Sequence, residues 1–186
     1  MKQSTYKGLD IDTEKHVFIG CKVGHRRNSL KLIMQSAKQD IVVYLRTPIF
    51  DISALAGGFI DKFERSFKGN EFVIPLKIFE IKYRNVNTHT VRQYSEEARM
   101  IKTVFPFVSY VLVLINTATK AQREADKTYM SSFHFDRVLT LRMPNEGRKE
   151  IEKISGTLYD EVTDHIKYLT KDTFYGLRSY IMKSKG

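Results

Sequence analysis

Cysteine is almost missing from this chain, with Cys21 its sole representative. One thiol excludes an internal disulfide and a zinc site built on clustered thiolates, and it makes a reducing, cytoplasmic setting the expectation. Long apolar runs are missing too. The longest, Val111-Leu112-Val113-Leu114-Ile115, falls far short of the roughly 20 residues that span a bilayer and suits a buried strand instead. The opening Met1-Lys2-Gln3-Ser4-Thr5 has no apolar signal region, so no membrane association is expected. There are no repeats or low-complexity tracts, and no phosphate-binding P-loop, nucleotide fingerprint or nucleophilic triad. His25, His89 and His134 lack the spacing of metal ligands.

Acidic residues are in short supply. Against 31 lysines and arginines stand 21 aspartates and glutamates, a net charge of +10 that favours a polyanionic partner. The rest of the composition is that of a folded protein. With 186 residues, 42% hydrophobic and 28% charged, the chain is long enough for one domain with a real core.

Periodicity assigns the elements. His16 to Ile19 reads as a short strand, and Gly24 to Gln39 as a helix with Leu30, Ile33, Met34 and Ala37 at helical spacing. Ile41 to Leu45 is a strand stopped by Thr47-Pro48, and Gly57-Gly58 marks a turn or bulge after a loop. A hairpin is expected from about Phe59 to Arg84, with Pro75 at an edge or bulge because it cannot donate to a ladder. Thr90 to Val104 reads as a helix ended by Pro106, Phe107 to Ile115 as a central strand, and Phe133 to Met143 as another strand. From Arg148, the stripe Ile151, Ile154, Leu158, Val162, Ile166 and Leu169 predicts a helix that packs on its own domain or on a second copy, followed by a short helix near Phe174 to Ile181. The expected fold class is α/β: a mixed sheet flanked by helices, in a single domain with its core at about 22–143 and a C-terminal helical extension at about 146–186.

The hairpin gathers the most suggestive chemistry. With Gly69-Asn70 as a two-residue loop, Lys68 faces Glu71 and Asp61 comes opposite Ile78. Alternation then puts Ile78, Glu80 and Lys82 on one face, and Asp61 lies diagonal to Glu80, roughly 7–8 Å away between backbones. Two carboxylates at that separation can share a divalent ion beside an ammonium group. A surface salt bridge between Asp61 and Lys82 is the plainer alternative. Asp51 is a rival first acid; pairing it with Glu80 would centre the hairpin near Arg65-Ser66, away from the Gly-Asn signal.

Several features now line up: Gly24-His25-Arg26-Arg27, a helix, a strand ending Arg46-Thr47-Pro48, a glycine-rich approach to Asp61, then Glu80-Ile81-Lys82 and a helix with Gln93. Over roughly residues 22–115 this order resembles the PD-(D/E)xK nuclease superfamily, its archaeal and viral Holliday junction resolvases above all. The resemblance implies a restriction-endonuclease-like fold and a Mg²⁺- or Mn²⁺-dependent endonuclease acting in the cytoplasm on DNA, branched junctions included, in recombination or repair. It implies a homodimer. Asp61 takes the place of the motif's first acid, Glu80 the second and Lys82 the lysine, with the Ile81 carbonyl as a further metal ligand and Gln93 holding a phosphate or water. The pattern departs from the family at Ile60, where a proline is usual, and at Arg26-Arg27-Asn28-Ser29, where many relatives carry a glutamate. Asn28, Glu14 and Asp51 are candidates to complete the metal site, and a DNA-binding protein without cleavage is the other reading.

In that reading Asp61 and Glu80 hold the metal, which acidifies a bound water and neutralises phosphate charge, and Lys82 orients the water or opposes charge on the phosphate. Arg26, Arg27, Lys31, Arg46, Arg84 and Arg92 are expected to border the site and contact phosphates.

Overall fold

The computed structural model describes residues 9–26, 29–46, 73–84, 88–116, 134–143, 147–171 and 177. They form a mixed α/β fold. Two 18-residue strands, β1 (Leu9–Arg26) and β2 (Ser29–Arg46), are followed by β3 (Val73–Tyr83), helix α1 (Thr88–Val104), β4 (Ser109–Ile115), β5 (Arg137–Leu141) and helix α2 (Arg148–Lys171). The strands lie in the order β1-β2-β3-β4-β5; β1, β2 and β3 run antiparallel, whereas β3, β4 and β5 run parallel. Among the described residues no helix is long and apolar enough to cross a membrane.

Alternation along the central strands creates two apolar faces, each covered by one helix. Tyr110, Leu112 and Leu114 of β4 join Val42, Tyr44 and Ile78 beneath Val91, Ala98 and Ile101 of α1. Val111, Val113 and Ile115 point the other way, with Val43 and Phe79, against Ile154, Leu158 and Val162 of α2. Lower on α2, Ile166 and Leu169 are buried with Leu45, Leu76 and Leu177. The C-terminal helix is therefore the second covering layer of the sheet rather than an extension to it. Its stripe packs within its own chain, apart from Ile151, which is 52% exposed in the first turn.

Two sequence expectations fail here. The helix expected over Gly24 to Gln39 is instead the end of β1 and most of β2, paired from Leu9↔Leu45 to Arg26↔Ser29. Leu30, Ile33, Met34 and Ala37 fit a helix, but Leu30, Leu32 and Met34 fit a strand equally well, and pairing with β1 decides between them. The Phe59–Arg84 hairpin fails on its second half. Ile78 is flanked by Val42 on one side and Tyr110 on the other, so no edge remains there for Asp61. Pro75 behaves as expected, since it sits at a register shift opposite Tyr44, where β4 has not yet begun to pair.

One buried ion pair binds α2 to the sheet. Lys77 Nζ lies 3.0 Å from Glu161 Oε2, with only 4% and 12% of the two side chains exposed, and Arg137 donates to the other Glu161 oxygen. Burial pulls the Lys77 ammonium below its ordinary value, and the Glu161 carboxylate opposes that pull. Removing one partner of such a pair strands the other charge, at a cost of about 3–5 kcal/mol. Glu161→Ala should therefore lower the unfolding free energy by about 3 kcal/mol in urea titrations, and Lys77→Met by clearly less. Equal losses in the two variants would show that desolvation of the lysine is not what the pair offsets.

Candidate active site

β3 carries the acid and lysine read from the sequence. Glu80 and Lys82 share the α1 face of the strand, near its C-terminal end, and Glu80 is 2% exposed. Leu112 of β4 lies beside Glu80 in the ladder, and Tyr110 stands two residues before it on the same face. Lys82 Nζ donates to Glu80 Oε1 at 2.5 Å and lies 4.1 Å from the centre of the Tyr94 ring on α1. The other carboxylate oxygen, Glu80 Oε2, is buried and has no hydrogen-bond partner among the described residues.

A second acid comes from β2. The β2–β3 ladder stops at Ile41↔Phe79, and the next free β3 amide, Ile81 N–H, donates 2.8 Å to Asp40 Oδ2. That carboxylate thus takes over from the main chain as the strands part, and it stands 3.6 Å from Lys82 Nζ. The backbone is distorted at this point. Glu14, which would face Asp40 from β1, has a φ of 55° and drops out of the register between Thr13↔Ile41 and Lys15↔Gln39. A non-glycine residue in left-handed conformation is uncommon and often accompanies a functional site.

Helix α1 closes the cluster from above. Gln39 Nε2 donates to Glu97 Oε2 at 3.3 Å, and Gln93 Nε2 to Glu97 Oε1 at 3.3 Å. Tyr110 O–H donates 2.5 Å to Gln39 Oε1 within the core, and burial raises its own ionisation well above the ordinary tyrosine range. Burial, opposed by the Lys82 hydrogen bond and helped by the negative charges of Asp40 and Glu97, pushes the Glu80 carboxyl from 4.5 up to about 7. For Lys82, burial works against the charge, but hydrogen bonds to Glu80 and Tyr94 with the charges of Glu80 and Asp40 outweigh it. The ammonium stays protonated. At neutral pH the site therefore holds a fixed cation beside a carboxyl poised to gain or lose a proton.

No protein-family model matches the chain, and no curated protein matches it either.

The other residues singled out in the sequence fall in different places. Asp61 and Asp51, with Arg27 and Asn28, lie outside the described residues. Glu14 gives its carboxylate to Lys38 at 3.1 Å on an exposed surface. Ile81 contributes its N–H to Asp40, and Gln93 reaches the cluster through Glu97. Arg84 follows β3 with a φ of 65° and lies over the Tyr83 ring, and Arg92 is exposed on α1. Arg46 pairs with Val73 at the end of β2. Arg26 and Lys31 do not border the site: they are at the far end of the β1–β2 hairpin. Asp40, Gln39, Tyr94, Glu97 and Tyr110 were not legible as site residues. The available signal was an acid placed directly before the apolar run Ile41 to Leu45.

The donor set fits a divalent cation in part. The unpartnered Glu80 Oε2 and the part-exposed Asp40 carboxylate are hard oxygen ligands on adjacent strands. Among the described residues no three acidic, histidine or cysteine side chains converge on one point, so water, main chain or substrate oxygens must complete any coordination.

Proposed function

We propose that this protein is a metal-dependent endonuclease that hydrolyses DNA phosphodiester bonds, with a restriction-endonuclease-like arrangement of its sheet. The observation that carries the reading is the convergence of Asp40, Glu80 and Lys82 from two neighbouring strands, with one buried Glu80 oxygen left unpartnered. The antiparallel trio β1-β2-β3, a crossover through α1 and a parallel β4 supports the same reading, as does the chain's basic charge. Asp40 takes the part that the sequence assigned to Asp61.

Asp40 and Glu80 would hold a Mg²⁺ or Mn²⁺ ion, with the Ile81 carbonyl as a further ligand. When bound, the ion acidifies water and neutralises phosphate charge. The chain's own groups do the rest. Lys82, always protonated, orients the attacking water or balances charge growing on the phosphate. Tyr94 screens the ammonium from solvent, while Gln39 and Gln93 hold Glu97 at the rim. Glu80 must be an anion to bind metal, and its raised ionisation ties that competence to neutral or higher pH.

Branched junctions are the proposed substrate shape and a homodimer the proposed assembly, in which two sites cut two strands. Incubation of a panel of branched, duplex and single-stranded DNAs with Mg²⁺ or Mn²⁺ tests the reading. Cleavage that requires the metal and is blocked by chelation is expected. Binding without cleavage under both metals would favour the non-catalytic reading, to which the tight Lys82–Glu80 contact lends support.

A further inference from the structure

From Lys15 to Lys38 the sequence holds six lysines and arginines and no aspartate or glutamate. This stretch coincides with the part of the β1–β2 hairpin that outruns the rest of the sheet. β3 pairs with β2 only between Ile41 and Arg46. Beyond the irregularity at Phe18/Gly20, the strands from Gly20↔Gln35 to Arg26↔Ser29 pair solely with each other among the described residues. They form a two-stranded arm.

Register divides the arm's positions between two faces, and the pairs Lys22↔Ile33, Gly24↔Lys31 and Arg26↔Ser29 occupy register positions of one of them. The alternate pairs, Cys21↔Met34, Val23↔Leu32 and His25↔Leu30, occupy the other. Lys31 lies nine positions before Asp40 on β2. At ~3.3 Å per residue that is at most roughly 30 Å, or about nine base pairs of duplex at ~3.4 Å each.

We propose that this arm is a duplex-DNA grip, holding phosphates about one helical turn away from the Asp40–Glu80–Lys82 site. The major groove of B-DNA admits a two-stranded ribbon, and a stretch that carries six lysines and arginines and no acid suits phosphate. The inference rests on the nuclease reading for its choice of DNA as partner, and it adds the element that measures out the substrate.

The test uses the full-length protein and a variant with Lys22→Gln, Arg26→Gln and Lys31→Gln together, compared for thermal melting and for binding to a ~30-base-pair duplex; at ~0.9 per phosphate contact, the log–log salt slope should fall by about 2.7 and affinity at 0.1 M salt by about two orders of magnitude. A second measurement needs no variant: shortening the flanking duplex below about nine base pairs should weaken the wild type to the variant's level and leave the variant unmoved. An unchanged slope, or equal sensitivity of both proteins to shortening, overturns the grip and leaves the nuclease reading intact. A wild type that neither binds nor cuts DNA overturns both. Arm-dependent binding to phosphatidylserine–phosphatidylcholine vesicles, with arm-independent binding to duplex, also overturns the proposal.

Discussion

Asp40→Asn should reduce metal-dependent cleavage by about three orders of magnitude, equivalent to ~4 kcal/mol of transition-state stabilisation, while DNA binding changes little. Asp61→Asn, assayed in parallel, should stay within about threefold of wild type. The contrast follows from strand pairing. Asp61 was placed near Glu80 only by a local hairpin, and both sides of Ile78 are taken by β2 and β4. Asp40 reaches the site by a contact that can be seen, through Ile81 N–H and Lys82. Asparagine keeps an oxygen that can accept the Ile81 hydrogen bond, so the substitution removes charge without unpinning the strands. Unfolding free energy should accordingly move by less than about 1 kcal/mol. If instead Asp61→Asn abolishes cleavage and Asp40→Asn does not, the first acid comes from a segment beyond the described strands and the β2–β3 site is misassigned.

Local pattern was enough for some elements and not for others. Val111 to Ile115, apolar on both faces, announced a central strand, and Val91, Ala98 and Ile101 announced the helix above it. The long stripe of α2 was equally plain, and Glu80-Ile81-Lys82 was legible as an acid and amine on one strand face. What failed was pairing at long range. β2 and β3 are separated by residues 47–72, whereas the Gly69-Asn70 signal offered a nearby partner, and nothing local argues for the distant one. Asp40 was lost for a related reason. Reading Gly24 to Gln39 as a helix put it at a boundary, where an acid needs no explanation. Gln39 and Tyr110 meet only because β2, β3 and β4 stack side by side, and no single-strand periodicity contains that fact.

Glu80→Gln should abolish cleavage, by on the order of 10³-fold or more, and should also make the metal-free protein more stable above pH 7. The second effect separates burial from catalysis. A carboxyl whose folded value is about 7, against 4.5 when unfolded, favours the fold most when protonated. Its contribution is complete below 4.5 and is lost as pH rises through 7. Glutamine imitates the protonated form at every pH. Relative to the variant, wild type should thus lose about 2–3 kcal/mol between pH 4.5 and 8, a figure that already includes the opposing pull of Lys82 on the carboxylate. Urea titrations across that range, with chelator present, read the difference directly. Added Mg²⁺ should then reverse the order near pH 8, since an ion bound to the Glu80 anion stabilises only the wild type. Parallel stability curves for the two proteins would mean that Glu80 ionises as an ordinary exposed acid, and a carboxylate so placed would not sit in the sealed, lysine-bridged pocket from which the nuclease reading is built.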